Sequence, residues 1–537
     1  MSRLASRPQL ARPRDDAPGG AAPTGASGAD AEAAGARGSA PMLPVIAACL
    51  ALSALTLLFP SAPTYDPWAW IMWGREIVHL DLVTTGGPSW KPLPVLFTTP
   101  FALLGADVAP YLWIWIARAG ALLALAMSFR LAHRLTGGGI AGAVAGVFAA
   151  LFLATTFEYI RDAALGNSEA LLAGLGLWAF ERHLDGRRDH ALYLAVAAAL
   201  LRPEAWPFLG LYGLWLWLRE PRLRLRMVGF AALIPALWFG PELWGSGDAL
   251  RASSRANNPN PGSAAYAAHP GLEVIERFHR RTVWALEVAG LAGLAAAAIA
   301  WARARAQGAI LFLAGIGLAW LALVAAMTEG GYAGNQRYLI VTTAVLCVLG
   351  GIGVARALQG LQLAGERWAG GRRAGLAVAV AAFLAGLAIA WPVVEDKADN
   401  VAVTLDELRY EASLWHTLDD AIDAAGGRDR LLACGAVYSG PFQTQMVAYE
   451  LGIHGVDVRA LEGTPPPGVA FRTHTIPDGP LVIHVTDDRF RQVAADGRWL
   501  VWTAPRADAR GRRCPAAAPG APRVEPAPTT PALASSR

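Results

Sequence analysis

The sequence is short of charge and shorter still of lysine. Asp, Glu, Lys and Arg make up 16% of its 537 residues, against 54% hydrophobic residues and a mean hydropathy of +0.35. A soluble globular domain carries nearer a quarter charged residues, so the shortage points to an integral membrane protein. Lysine occurs only at 91 and 397 among 46 cationic side chains, the rest being arginine. Apolar periodicity is missing from 1–41, a stretch of Ala, Gly, Pro, Ser and scattered arginine that is expected to form a disordered tail. A small-x-small cleavage site is missing after the first apolar run, Met42 to Phe59, where Pro60 and Pro63 stand instead. That run therefore reads as an uncleaved first span and not as a signal peptide.

What is present in abundance is apolar length. Further runs at roughly 110–130, 139–157, 168–181, 190–201, 205–218, 227–244, 283–301, 308–327, 338–355 and 375–392 bring the expectation to about eleven membrane helices. Each is judged against the roughly 20 residues that cross hydrocarbon. The 190–201 and 205–218 runs are short enough to tilt, thin the bilayer or form a re-entrant hairpin. Arginine is dense in alternate short loops, which places the amino terminus in the cytoplasm and residues 61–109, 245–282 and the carboxy-terminal part outside. Residues 42–392 then form a transmembrane module, 393–508 a small extracytoplasmic α/β domain, and 509–537 a disordered tail. In the α/β part, RLLACGAVY and GPLVIHVTD read as buried strands, FQTQMVAYELGI as a helix, and ADGRWLVWTAP as the turn and last strand of a hairpin.

The most distinctive stretch is 64–94, TYDPWAWIMWGREIVHLDLVTTGGPSWKPLP. Trp70, Trp73, Ile77 and Leu80 recur at spacings of three and four, the stripe of a short helix lying on the membrane surface. Asp66 before Pro67 reads either as a helix cap or as a site carboxylate. Residues 93–104 suggest a second interfacial helix. The other outside loops add Glu158, Arg161, Asp162 and Glu169 in TTFEYIRDAALGNSEALL, Arg202 and Glu204 in LLRPEAWP, and Glu329, Asn335, Gln336 and Arg337 in TEGGYAGNQRYL. Such groups can simply neutralise one another or snorkel to headgroups. Their gathering on one face favours a site, because ionisable groups at membrane depth are expensive.

An acid after the first span, a KP-containing stretch before the second, a second acid after the third, and an Arg-Tyr pair entering a late span resemble the GT-C glycosyltransferases. The pattern is closest to lipid-A aminoarabinose transferases and protein O-mannosyltransferases and covers about 42–392. The resemblance implies a polyprenyl-phosphate sugar donor, an envelope glycan, lipid or protein acceptor, an active site outside the cytoplasm, and inversion at the sugar. It implies Asp66 as catalytic base and Lys91, Asp162 and the Arg337-Tyr338 pair as matching motif positions. Arg202 and Glu158 join these as donor or substrate contacts. The sequence departs from the pattern in having Pro67 after Asp66 instead of glutamate, KPLP instead of KPPL, and no WWDYG run. A divalent ion, Mg or Mn, is compatible with Asp66 and Asp162, although no ligand spacing demands it. The expected partners are the lipid-linked donor and the acceptor, with no nucleic acid and no expectation for oligomeric state. A transporter or flippase of lipid-linked precursors, or a non-catalytic relative, is the alternative. A transporter is expected to show polar residues at mid-membrane depth and repeats in its two halves, and neither is visible.

His454, His474 and His484 follow no metal spacing. Cys49 and Cys347 fall in spans and read as packing residues. Cys434 and Cys514 fall in the external part, where an oxidising compartment permits a bridge, the alternative being two unpaired thiols.

Overall fold

A computed structural model describes residues 41–156, 158–460, 465–477, 479–485, 487–505, 514–518 and 520–522. Of the tails expected at 1–41 and 509–537, residues 1–40, 509–513, 519 and 523–537 lie outside them. The helices in chain order begin with α1 (Met42–Thr56), α2 (Tyr65–His79), α3 (Pro92–Ala102), α4 (Ala109–Thr136) and α5 (Gly139–Ala154). They continue with α6 (Tyr159–Ala164), α7 (Glu169–Leu184), α8 (Arg188–Ala199), α9 (Trp206–Arg219), α10 (Arg224–Ser246) and α11 (Arg251–Ala256). The remainder are α12 (Pro270–Arg281), α13 (Trp284–Ala304), α14 (Gly308–Glu329), α15 (Ile340–Ala369), α16 (Arg372–His416), α17 (Leu418–Ala424), α18 (Arg428–Leu432) and α19 (Thr444–Leu451).

Among the described residues, six helices are long and apolar enough to cross a membrane, within 109–136, 221–246, 284–304, 308–329, 336–368 and 372–424. Helices α1 and α5 are apolar but shorter, and α7, α8 and α9 have 16, 12 and 14 residues. The bundle is drawn tight where glycines let backbones touch. A Cβ at Gly353 of α15 would lie 1.8 Å from the Ala289 carbonyl of α13, and one at Gly351 would lie 2.1 Å from the Ala145 carbonyl of α5.

Helix α2 corrects two expectations. Thr64 stands at its N-cap, so Asp66 lies inside the first turn, where Pro67 is also tolerated because no earlier carbonyl awaits its missing N–H. The tryptophans do not frame a membrane surface. Trp68, Trp70 and Trp73 are buried in protein, and Trp90 packs 5.3 Å from Trp73. Trp70 meets Trp113 edge-on at 5.5 Å, and Trp68 meets Trp415 and Tyr449 at 5.1 Å each. Part of the cover, over Trp68, is the carboxy-terminal part of the chain, which local periodicity could not reveal. One apolar cluster joins α2 to Leu418, Val437, Val447 and Phe471.

Helix α16 runs unbroken for 45 residues through residue 393, with Pro392 inside it. The sheet comprises β1 (Ala436–Ser439), β2 (Val458–Arg459), β3 (Gly468–His474), β4 (Leu481–Val482), β5 (Arg491–Asp496) and β6 (Trp499–Ala504). Its order is β2-β1-β3-β6-β5, with β4 against β3. Strand β1 is parallel to β2 and β3, while β6 is antiparallel to β3 and β5. The expected GPLVIHVTD strand is reduced to the two residues of β4, and the central position goes to β3, GVAFRTH. Its Arg472 is buried by donating Nε to the Ile483 carbonyl at 2.9 Å and lying over the Trp502 ring. The RLLACGAVY segment splits into α18 and β1. A disulfide joins Cys434 to Cys514, while Cys49 and Cys347 are buried and free.

Candidate active site

Five chain segments meet around the Glu169 carboxylate. Lys91 and Arg202 each precede a proline, which disfavours helical backbone at the preceding residue. Both are extended, at φ −136°, ψ 114° and φ −149°, ψ 132°, so each side chain leaves the chain just before a helical turn begins. Lys91 Nζ lies 3.3 Å from Glu169 Oε1, donates to Ser168 Oγ at 3.2 Å and sits over the Trp70 ring at 4.8 Å. Arg202 donates to the same Glu169 oxygen, bonds Glu204 at 3.3 Å and the Tyr332 hydroxyl at 3.2 Å, and covers the Tyr338 ring at 3.9 Å. Arg337 enters from the turn before α15. Its Nη2 donates to Asp66 Oδ2 at 2.7 Å and Nη1 to Asn167 Oδ1 at 3.2 Å, with Nε 3.9 Å from Glu169.

Three cations thus face Asp66, Glu169 and Glu204 in a largely buried knot. Burial is the main force on Lys91, lowering its ammonium to about 8. Asp162, from short α6, accepts from Asn167 at 2.9 Å, and burial raises its carboxyl to about 7. Among the described buried polar atoms, Glu169 Oε2, Glu204 Oε2, Arg202 Nε and Gln336 Nε2 have no hydrogen-bond partner. The knot therefore has capacity left for a polar ligand.

A cavity of about 820 Å³ leads to it. Its long walls are apolar, with Val147, Leu151, Phe152, Leu286, Phe383 and Leu387 among the lining, drawn from α5, α13 and α16. Asp162, Glu169, Gln336 and Arg337 line it as well, and so does Glu158, an exposed residue held at φ +58°.

Of the residues singled out in the sequence, Asp66 and Arg337 pair directly, and Lys91, Arg202 and Arg337 meet on Glu169. Asp162 joins through Asn167, and Tyr338 is the ring between Arg202 and Arg337. Glu158 lies on the cavity wall without joining the ion pairs. Arg161 does not pair with Asp162; it turns to Glu411 and Glu407 on α16. Sequence reasoning placed Glu169 and Glu204 in the right loops without giving them roles, and passed over Tyr332, Asn167 and Ser168. The hub position of Glu169 had one signal, an acid at the first turn of a helix following Asn and Ser.

Asp66 is engaged by Arg337 and Asp162 by Asn167, and no three of His, Cys, Asp and Glu converge among the described residues. An anion suits the three cations.

The fold and this site define a multi-pass helical membrane protein whose buried ionic knot closes one end of an apolar cavity. The crystal structure of ArnT from Cupriavidus metallidurans bound to undecaprenyl phosphate has this fold, with a TM-score of 0.50 at 16% identity over 88% of this chain and 99% of that one. The apo-state structure of the same protein scores 0.48 at 16% identity, over 87% and 98%. No protein-family model and no curated protein matches the chain.

Proposed function

We propose that this chain is an inverting membrane glycosyltransferase that moves a sugar from a polyprenyl-phosphate donor to an envelope glycan, lipid or protein acceptor outside the cytoplasm. The carrying observation is the pairing of an apolar cavity with Arg337, which lines its polar end and is joined through Glu169 to Lys91 and Arg202. That combination suits one amphiphile with a long hydrocarbon tail and an anionic head. Undecaprenyl phosphate, present in the ArnT structure of the same fold, is such a molecule. About eleven membrane helices and a cytoplasmic amino terminus belong to the same proposal.

The acceptor hydroxyl attacks the anomeric carbon, the bond from that carbon to the phosphate oxygen breaks, and the hydroxyl proton passes to a carboxylate. Asp66 takes the proton in this reading, oriented by Arg337. Lys91 and Arg337 stabilise the charge that develops on the departing phosphate. Asp162 supports a second assignment of the base, since it lines the cavity and its carboxyl is raised to about 7. The deciding experiment measures sugar transfer from native lipid-linked donors by Asp66→Asn and Asp162→Asn. Loss of a base costs on the order of 100- to 10,000-fold. Full activity in both variants, with the proteins folded and inserted, refutes the proposal.

A further inference from the structure

A second cavity, of about 590 Å³, lies on the far side of α2, between the start of α4 and the carboxy-terminal part. Its wall is fixed by bonds that consume the groups making them. Arg75 donates to the Tyr449 and Ile453 carbonyls at 3.1 and 2.9 Å, and Glu76 binds His454 at 2.8 Å. What remains open is of two kinds. The first is a platform of rings. Tyr111 lies 5.0 Å from Trp415, and His416 stacks on Trp415 at 4.9 Å and 24°. Tyr111 and His416 are themselves nearly parallel, 18° apart at 6.4 Å, and His416 is exposed. The second is a ring of planar charged groups. Asp107, Asp419 and Arg428 line the cavity and are exposed, with no hydrogen-bond or ion-pair partner among the described residues. Glu450 stands beside them, oriented by the Trp415 indole N–H at 2.8 Å.

A ring stack that ends in the exposed imidazole of His416 and is edged by carboxylates and a guanidinium is complementary to a sugar ring. The C–H face of the sugar packs on the rings, carboxylates accept from its hydroxyls, and the guanidinium donates to them. We propose that this cavity is a saccharide-binding site for one or more sugar units of a glycan outside the membrane. It is separate from the ionic knot, yet one helix away from it. Trp68, two residues beyond Asp66 on α2, packs edge-on against the platform residue Trp415. The proposal goes beyond the transfer reading and stands on the cavity alone.

The test is calorimetric titration of the full chain, in nanodiscs or a detergent without a sugar headgroup, with neutral oligosaccharides of hexose or pentose units. Saturable binding is expected to at least one of them. It should weaken at least tenfold in an Asp419→Asn/Arg428→Gln variant and in His416→Ala, whose sites are exposed and whose folding is checked by circular dichroism. Phe442→Ala, at an exposed residue outside the cavity, should bind as the parent does. Absence of saturable binding across the panel overturns the proposal, as does binding unweakened in both cavity variants. Binding of spermine with no saccharide bound would overturn it too, by showing that the acids alone form a cation site.

Discussion

Replacing Glu169 by glutamine should lower stability and, at the same time, sharpen the response to a phosphate lipid. Glu169 Oε1 lies 3.3 Å from Lys91 and 3.9 Å from Arg337 and bonds Arg202, and its side chain is 3% exposed. One such pair at about 3.3 Å carries about 5 kcal/mol of Coulomb attraction at an effective dielectric of about 20. Desolvation offsets part of this, so the net cost of removing one partner from a buried ion cluster is about 3–5 kcal/mol. The glutamine keeps the shape and the carbonyl acceptor, but it leaves three cations facing only Asp66 and Glu204. A phosphate supplies the missing charge, so undecaprenyl phosphate should stabilise Glu169→Gln by more than it stabilises the parent. The assay is thermal unfolding in detergent with undecaprenyl phosphate and, as the uncharged control, undecaprenol. An unchanged midpoint without lipid would show that Glu169 is not holding the cations together. Equal stabilisation of both proteins by the two lipids would show that the head group does not meet them.

Lys91 and Asp162 give pH signatures. With its ammonium lowered to about 8, Lys91 loses charge above that pH, so undecaprenyl phosphate affinity should fall from pH 7 to 9 in the parent and stay nearly flat in Lys91→Arg. Asp162 has a folded value of about 7 against 3.8, so the folded state holds the extra proton between these values. Stability should therefore fall as pH rises from about 4 to 7 and remain low above it. Asp162→Asn should flatten that slope and melt higher than the parent at pH 8; a lower melting point would contradict it. Changing Cys434 and Cys514 to serine opens a loop with a sequence separation of 80. The loop-entropy figure is roughly 4 kcal/mol, which denaturant titration followed on the carboxy-terminal part would read as an earlier transition.

Apolar run length was enough to read a helical membrane protein with connecting segments rich in ionisable groups. Lys91 and Arg202 were legible because Lys-Pro and Arg-Pro are local statements: proline fixes the backbone of the residue before it. The roles of Glu169 and Tyr332 were not legible, because they arise from contacts across 78 and 130 residues of chain. The tryptophans of α2 misled for the same reason. A stripe at helical spacing says which face is buried and not what covers it: Trp113 and Trp90 meet Trp70 and Trp73, and Trp415 and Tyr449 reach Trp68 from about 350 and 380 residues away. Strand β3 escaped notice because Arg472 and Thr473 interrupt its apolar pattern, although both are buried in the sheet. The sequence of α16 turns polar after Trp391-Pro392 without losing helical backbone, so the change of composition there is not a change of secondary structure.

The central claim is that the apolar cavity holds a polyprenyl tail with its phosphate on the ionic knot. An experimental structure of the protein with undecaprenyl phosphate tests this directly. The tail is expected along Phe152, Leu286 and Leu387, with phosphate oxygens within hydrogen-bond distance of Arg337 and of Lys91 or Arg202. A phosphate bound away from all three cations, or a tail lying outside the cavity between α5, α13 and α16, would contradict the account.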